Sequence, residues 1–219
     1  MIKRFLDRSV FFTLITLFIL MCASLVFLYP DGRSFFILNG LHNGLLDYSL
    51  TYLTHIGDGI TVIILCVLLL IFYNFGSGLI SIIGLGVIGL VSHLMKYYLF
   101  ANSPRPHLYF WGNKMIHYVE GVKINIENSF PSGHTFTAFY IFTFIAMLAF
   151  SKPIFRQILL AFLAIVSAYS RVYLAQHFVG DILTGAVMGI IFGLLFYKIY
   201  TKSKNYKSFN SNLIQLIRK

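Results

Sequence analysis

Charged residues are scarce in this chain of 219 residues: 11% of them are charged, while 58% are hydrophobic. An ordinary soluble domain has about 25% charged residues. A water-soluble fold of this size could not bury so much apolar surface. The composition therefore excludes a typical soluble protein and indicates that lipid is the natural solvent.

Acidic residues are fewer than basic ones, and the formal net charge is +10. In a soluble protein such an excess would suggest nucleic-acid binding. Here most of the basic residues lie between or beyond apolar stretches, where they set the topology against anionic lipid. We therefore expect the bilayer as a partner and no nucleic acid.

Cysteine is also rare, and the two cysteines, Cys22 and Cys66, lie inside apolar runs. They indicate small core residues and no disulfide framework. The chain contains no internal repeat and no low-complexity linker. These absences favour a single domain that comprises residues 1–200. A polar, basic tail of residues 201–219 follows, and we place it in the cytoplasm.

Six apolar stretches approach the roughly 20 residues that a membrane span requires. They cover residues 10–29, 60–75, 79–100, 135–150, 158–175 and 182–200. The first is too long for a signal peptide and lacks a cleavage site, so we expect a retained helix. Breaks are predicted at residues 76–78 and 151–153. The expected fold is all-α, with six transmembrane helices in one bundle.

Residues 35–58 mix polar and apolar side chains, with Asn39, His42, Asn43, Asp47 and His55 among the polar ones. This pattern predicts an interfacial amphipathic helix whose polar side faces water. A re-entrant connector is an equally good interpretation.

The distribution of basic residues predicts the orientation of the six spans. Eleven of the 17 Lys and Arg residues lie on the side of the two termini, and six lie on the other side. By the positive-inside rule, the termini are cytoplasmic. For a bacterial protein this means the inner membrane, with the opposite face toward the periplasm or the outside.

The first of three polar clusters pairs Lys96, near the end of the third span, with Arg105 and Pro106 in the loop that follows. Ionisable residues at membrane depth are candidates for a functional site. Taken alone, however, these cations are more typical of snorkelling side chains at a helix end than of a functional site.

The second cluster, Pro131-Ser132-Gly133-His134, begins the fourth span. Ser132 suits a helix N-cap, and Gly133 allows a ligand to approach the backbone. Free N–H groups at a helix start bind anions. Plain capping, with an incidental His134, is the alternative.

The third cluster contains Ser170, Arg171, His177 and Asp181. If the last helix begins early enough, His177 and Asp181 share a face, because they are four residues apart. The carboxylate would then fix the tautomer of the imidazole. A buried pair without a catalytic role is the alternative.

The predicted topology places all three clusters at the same membrane face. Together they supply three cations, a helix N-terminus, two histidines and a carboxylate, which are the groups that phosphoryl transfer requires.

The second and third clusters resemble the motifs of the type-2 phosphatidic acid phosphatase superfamily, which shares its active-site plan with vanadium haloperoxidases. The first cluster departs from the common pattern, because eight residues rather than six separate Lys96 from Arg105. The resemblance extends from the first span to Tyr200 and includes residues 54–58.

The resemblance implies a metal-independent membrane lipid phosphatase without a cofactor. His177 would attack phosphorus, Asp181 would orient His177, and His134 would protonate the leaving oxygen. The phosphate-binding groups would be Lys96, Arg105, Ser132, Gly133 and Arg171.

Several alternatives remain open from the sequence. The same site could transfer phosphate to a lipid or sugar hydroxyl, or a non-catalytic transporter could retain the cluster for binding. The substrate could be a polyprenyl diphosphate, phosphatidate, phosphatidylglycerol phosphate or lipid A. The oligomeric state is not indicated.

Residues 100–130 form a long outer connection rich in aromatic side chains. It could be a lid over the site or an aromatic belt at the headgroups. Three histidines near it, His93, His107 and His117, lack the acidic or cysteine partners of a metal site.

Overall fold

The computed structural model describes residues 9–148 and 153–203, together with Asp7 and Ser211. These residues form helices, turns and loops, without a strand. The helices are α1 (Ser9–Leu28), α2 (Ser34–Asn39), α3 (Gly44–Leu53), α4 (Gly59–Leu68), α5 (Phe75–Leu94), α6 (Pro106–Tyr109), α7 (Gly133–Met147), α8 (Ile154–Tyr173) and α9 (Val179–Ser203). A 3₁₀ turn at Thr54–Gly57 precedes α4, and π-helical turns at Leu69–Tyr73 and Met95–Leu99 extend α4 and α5.

Four helices are long and apolar enough to cross a membrane: α1, α5 with its π-helical turn, α8 and α9. The segments Gly44–Gly57 and Gly59–Tyr73 meet at an angle of 58° and count as a fifth span if they are taken together. Helix α7 has 15 residues and is about 22 Å long, shorter than the roughly 30 Å of a bilayer core. The protein is an integral membrane protein with four or five candidate spans, so six spans are not confirmed.

Helix α7 lies at the centre of the bundle and is buried along most of its length. A helix that is apolar on all sides belongs in an interior, where other helices surround it. Its main neighbour, α9, approaches it through Gly185, Gly189 and Gly193. A Cβ atom on Gly189 would lie 2.5 Å from Cβ of Phe139. Small residues four positions apart allow two helix backbones to pack this closely in a membrane.

The turn predicted at residues 76–78 is wrong, because these residues lie inside α5. The chain instead turns at Asn74, whose side chain accepts a hydrogen bond from the Ser77 N–H at 2.8 Å and caps α5. A Cβ atom on Gly78 would lie 2.2 Å from Cβ of Leu70. Gly78 therefore allows α5 to pack against the end of the preceding helix. Of the second predicted break, residues 151–152 lie outside the described residues, and Pro153 precedes α8.

Residues 35–58 do not form the single amphipathic helix that the sequence predicted, and their place at the membrane interface stays a prediction. The segment is divided into α2, α3 and the 3₁₀ turn, and Asn43 caps α3 by accepting from the Leu46 N–H at 2.9 Å. Asn39, expected to face water, is 0% exposed. Its side chain bonds both main-chain groups of His117 and the carbonyl oxygen of Tyr173, and so holds the outer loop against α8.

The predicted basic tail is only partly described. Residues 201–203 continue α9, and apart from Ser211 the remainder lies outside the described residues. The tail and the domain boundary at residue 200 therefore stay predictions.

We expect Gly189→Leu to lower the apparent Tm of the protein in detergent, because the larger side chain would overlap α7. Overpacking of a core costs about 1–3 kcal/mol. Gly86→Leu on α5 is the matched control, since nothing lies within 4 Å of its Cβ position. Equal melting temperatures for the two variants would contradict the close α7–α9 packing.

Candidate active site

The three polar clusters meet at one end of the helix bundle. Arg105, in the loop before α6, contacts His177, in the loop between α8 and α9. Ser132, at the start of α7, donates its main-chain N–H to the carbonyl oxygen of Asp181 in the first turn of α9, at 3.2 Å. The structure thus brings together groups that are 72 and 49 residues apart in the sequence.

His177 and Asp181 form a buried pair. The distance from Nδ1 of His177 to Oδ2 of Asp181 is 3.2 Å, and His177 is 2% exposed. Helix α9 begins after His177, so the two residues do not share a helix face as the sequence suggested. Instead Asp181 reaches back to the loop, where its carboxylate also accepts the Phe178 N–H at 3.0 Å. Because the carboxylate accepts, Nδ1 carries the proton and Nε2 keeps a lone pair.

Arg105 lies on the opposite edge of the same imidazole. Its Nη1 is 3.3 Å from Nε2 of His177. A guanidinium group only donates hydrogen bonds, so Nε2 must be the acceptor, in agreement with the tautomer that Asp181 selects. Burial, together with the positive charges of Arg105 and Arg171, holds the pKa of His177 well below its ordinary value. The imidazole is therefore neutral near pH 7, as a nucleophile requires.

Main-chain carbonyl groups fix the direction of the Arg105 guanidinium. Nε donates to the carbonyl oxygen of Glu127 at 2.8 Å, and Nη1 donates to that of Gln176 at 2.8 Å. Nη2 lies 3.4 Å from the carbonyl oxygen of Asn128. Arg105 is only 8% exposed, so these acceptors replace the water that the cation loses on burial.

Lys96 lies in the π-helical turn that follows α5. With Arg105 and residues 125–128 it lines a cavity of about 470 Å³. The eight residues between Lys96 and Arg105 are accommodated by that wide turn and by Asn102 in the left-handed conformation, with φ of 62°. The longer spacing therefore does not separate the two cations.

Arg171, in the last turn of α8, donates from Nη1 to the Thr54 hydroxyl at 2.8 Å. Its Nε is buried and has no hydrogen-bond partner among the described residues. It also lines a second cavity of about 290 Å³ with His55 and Lys123. A buried guanidinium with a free donor is well suited to bind an anionic oxygen.

The start of α7 is fixed by capping and by the 3₁₀ turn. Ser132 caps the helix as predicted: its hydroxyl accepts from the Thr135 hydroxyl at 2.9 Å and from the Thr135 N–H at 3.5 Å. The Thr137 hydroxyl bonds the carbonyl oxygens of Gly57 and His134, at 2.5 and 3.0 Å. No hydrogen bond joins the His134 ring to another side chain in the described part of the chain. Roles of Ser132, Gly133 and His134 toward phosphate stay predictions.

The sequence model of the PAP2 superfamily matches residues 77–205. The chain belongs to the PAP2 superfamily. The matched region contains all eight predicted site residues, which are Lys96, Arg105, Ser132, Gly133, His134, Arg171, His177 and Asp181.

Two solved structures are similar to this PAP2 protein. LpxE of Aquifex aeolicus shares 27% identity with a TM-score of 0.63, over 75% of this chain and 92% of that one. A transmembrane PAP2 type phosphatidylglycerolphosphate phosphatase from Bacillus subtilis shares 23% identity with a TM-score of 0.63. The match covers 88% of this chain and 97% of that one. At 23% identity the likeness shows the fold alone. A comparison with curated proteins finds no match.

Sequence reasoning missed three residues of this PAP2 site: Thr54, Ser129 and Gln176. Ser129 donates its hydroxyl to Oδ2 of Asp181 and lies 3.5 Å from Nδ1 of His177. Thr54 belongs to the segment that was interpreted as interfacial, and Gln176 precedes the nucleophile candidate directly. Ser129 and Gln176 lie close to motif residues, and Thr54 begins the segment 54–58 that the resemblance includes. These were the only available signals, because the partners of the three residues are distant in the sequence.

The histidines outside the motifs have other contacts. Nδ1 of His107 is 2.9 Å from the Tyr118 hydroxyl, and Nε2 of His117 is 2.7 Å from Oδ1 of Asp47. Within residues 9–148 and 153–203, no three His, Cys, Asp or Glu side chains are placed to bind one metal ion.

We expect Ser129→Ala to lower kcat/KM about tenfold, because Asp181 would lose one of the hydrogen bonds that orient it toward His177 and such bonds to charged groups contribute about 1.5 kcal/mol. Ser81→Ala is the matched control, since Ser81 is a buried serine that bonds the Gly78 carbonyl inside α5. Phosphate release by purified variants measures the effect. Equal activities of the two variants would contradict a role for Ser129.

Proposed function

We propose that this PAP2 protein is a membrane lipid phosphatase that hydrolyses a phosphomonoester or diphosphate of a lipid through a phosphohistidine intermediate. One observation carries the proposal: the buried imidazole of His177 lies between the carboxylate of Asp181 and the guanidinium of Arg105. This arrangement fixes a neutral nucleophile beside a cation that can bind the phosphate under attack.

Three cations supply the negative-charge stabilisation that phosphoryl transfer requires. Arg105 and Lys96 line one side of the site, and Arg171 lines the other. Arginine suits this task because its planar fork matches two phosphate oxygens. The amide of Gly133, at the N-terminus of α7, adds a donor and the positive end of a helix dipole. No metal ion has a step in this mechanism.

In the first step the lone pair on Nε2 of His177 forms a bond to phosphorus as the bond to the lipid oxygen breaks. The hydrogen bond from Arg105 to Nε2 of His177 breaks when the N–H groups of Arg105 turn to the phosphate oxygens, and the lone pair is then free to react. His134, which takes up a proton from water when the negatively charged phosphate binds beside it, gives that proton to the departing lipid oxygen, so a lipid alcohol, or a lipid monophosphate from a diphosphate, leaves. Asp181 stabilises the positive charge that develops on the phosphorylated imidazole.

In the second step a water molecule attacks the phosphohistidine. His134, now neutral, takes a proton from the water as its oxygen bonds to phosphorus and the N–P bond breaks. His177 regains its lone pair, and inorganic phosphate is released. A lipid or sugar hydroxyl in place of the water would make the same site a phosphotransferase.

The membrane location supports a lipid as the substrate. Trp111, Tyr109 and Met115 project large apolar side chains from the outer loop near the site. Aromatic side chains of this kind favour the headgroup level of a bilayer. One similar structure is a phosphatidylglycerolphosphate phosphatase. Phosphatidylglycerol phosphate, phosphatidate, polyprenyl diphosphate and lipid A all present a phosphate at that depth and remain the candidate substrates.

We also propose six spans, with α7 as the fourth along the chain and with the termini in the cytoplasm. A helix encased by its neighbours, as α7 is, does not need to reach both lipid surfaces by itself. Eleven of the 17 basic residues then lie on the cytoplasmic side, and the site faces outward.

We expect His177→Ala to lower phosphate release from the lipid substrate by at least about 1,000-fold, because the covalent pathway needs the nucleophile. Purified protein in detergent with EDTA is assayed against a panel of the four candidate lipids. The wild-type protein should retain activity in EDTA and incorporate an acid-labile phosphoryl group that the variant lacks.

His93→Ala is the matched control, since His93 packs against Tyr97 and lies outside the motifs. Hydrolysis by His177→Ala at the wild-type rate would refute the assignment. A phosphorylated acceptor in place of free phosphate would favour the phosphotransferase.

The orientation is tested by cysteine labelling in intact cells. We expect Lys114→Cys to react with a membrane-impermeant maleimide and Lys202→Cys to react only after permeabilisation, because the outer loop and the end of α9 lie on opposite faces. Both lysines are exposed, whereas the native Cys22 and Cys66 are buried. The reverse labelling pattern would overturn the orientation.

A further inference from the structure

Gln176 lies directly before His177, and the mechanism above does not use it. It is 2% exposed, and its side chain makes hydrogen bonds at both ends. Nε2 donates to the carbonyl oxygen of Lys123 at 2.9 Å and to that of Leu174 at 3.3 Å. Oε1 accepts from Nδ2 of Asn125 at 2.8 Å. The side chain therefore connects the end of α8 to the outer loop.

The same residue contacts Arg105 through two atoms. Nη1 of Arg105 donates to the main-chain oxygen of Gln176 at 2.8 Å and lies 3.5 Å from its Oε1. This is the nitrogen that also faces Nε2 of His177. Gln176 thus supplies two acceptors to Nη1 of Arg105, the nitrogen that contacts His177. These acceptors restrict the directions in which Nη1 can donate.

Asn125, the partner of Gln176, lies between the two cavities of the site. It lines the cavity that contains Lys96 and Arg105 and also the cavity that contains Arg171. If the amide pair were absent, the loop around Asn125 would lose its side-chain connection to α8. The Gln176 side chain therefore supports the wall between the cavities, and its Oε1 adds an acceptor to the three main-chain carbonyl groups that direct Arg105.

We propose that Gln176 is a positioning residue that acts through Arg105, holding the guanidinium in line with His177 and with the loop wall at Asn125. Precise placement matters because the planar fork of arginine binds two phosphate oxygens only in one direction. The inference rests on the proposed function for its kinetic consequence. Its structural part, the placement of an anion-binding arginine, does not require catalysis.

A double-mutant cycle separates this role from simple core packing. The four proteins are the wild type, Gln176→Met, Arg105→Lys and the double variant. Methionine keeps the length of the side chain and removes both polar ends. We expect Gln176→Met to lower kcat/KM about tenfold in the wild-type background and less than about twofold in the Arg105→Lys background, because two residues that act as a unit are not additive.

The cycle is also measured with inorganic phosphate as the ligand, by calorimetry in detergent. Gln176→Met should weaken phosphate binding in the wild-type background and leave it unchanged in the Arg105→Lys background, because the planar fork that Gln176 directs is then absent. If the wild-type protein released no phosphate from any lipid, the proposed function would fail, and this binding cycle would still decide the inference.

Gln157→Met is the matched control, because Gln157 is a buried glutamine at the other end of the bundle, where it bonds the Phe11 N–H and the Asp7 carbonyl. It should leave kcat/KM and phosphate binding unchanged. If Gln176→Met does not fold, Asn125→Ala replaces it in the same cycle, since Asn125 is exposed. Additive losses, or a Gln176→Met variant equal to the wild type, would overturn the proposal.

Discussion

Burial of the row formed by Asp181, His177 and Arg105 is the constraint on which the rest of the site depends. A carboxylate and a guanidinium taken out of water each lose several kcal/mol of solvation unless other groups replace it. Ser129 and the Phe178 N–H bond the carboxylate, and three main-chain carbonyl groups bond Arg105. These partners come from the outer loop and from the loop before α9, so the loops must fold tightly onto the helix ends for the row to exist.

The helix bundle supplies a rigid base for those loops. Helices α7 and α9 approach closely at glycine positions, and each presents a site residue at its start. The close packing fixes the positions of Ser132 and Asp181 along the axes of the two helices, and a main-chain hydrogen bond joins these residues. The 3₁₀ turn then connects Arg171, through Thr54, to the backbone at His134, through Gly57 and Thr137. A small number of contacts therefore relate Arg171 to the start of α7 and, through Ser132, to Asp181.

Both faces of the site are open to anions, with Lys96 and Arg105 on one side and Arg171 on the other. In the structure, an Arg105 N–H group faces the lone pair on Nε2 of His177. A phosphate that attracts Arg105 would release this lone pair at the moment when the electrophile is present. In the proposed mechanism, phosphate binding and activation of the nucleophile would be coupled through this single hydrogen bond, without movement of a helix.

The sequence by itself determined the membrane class, the helical fold and the motif residues, because composition and short spacings depend only on neighbours along the chain. It placed Ser132 correctly as a cap for the same reason. The tertiary structure decided the division of residues 35–58, the place of residues 76–78 inside α5, and the parts of Thr54, Ser129 and Gln176. These features depend on contacts between residues 50 or more positions apart or on the close approach of two helices, and no local pattern records such contacts.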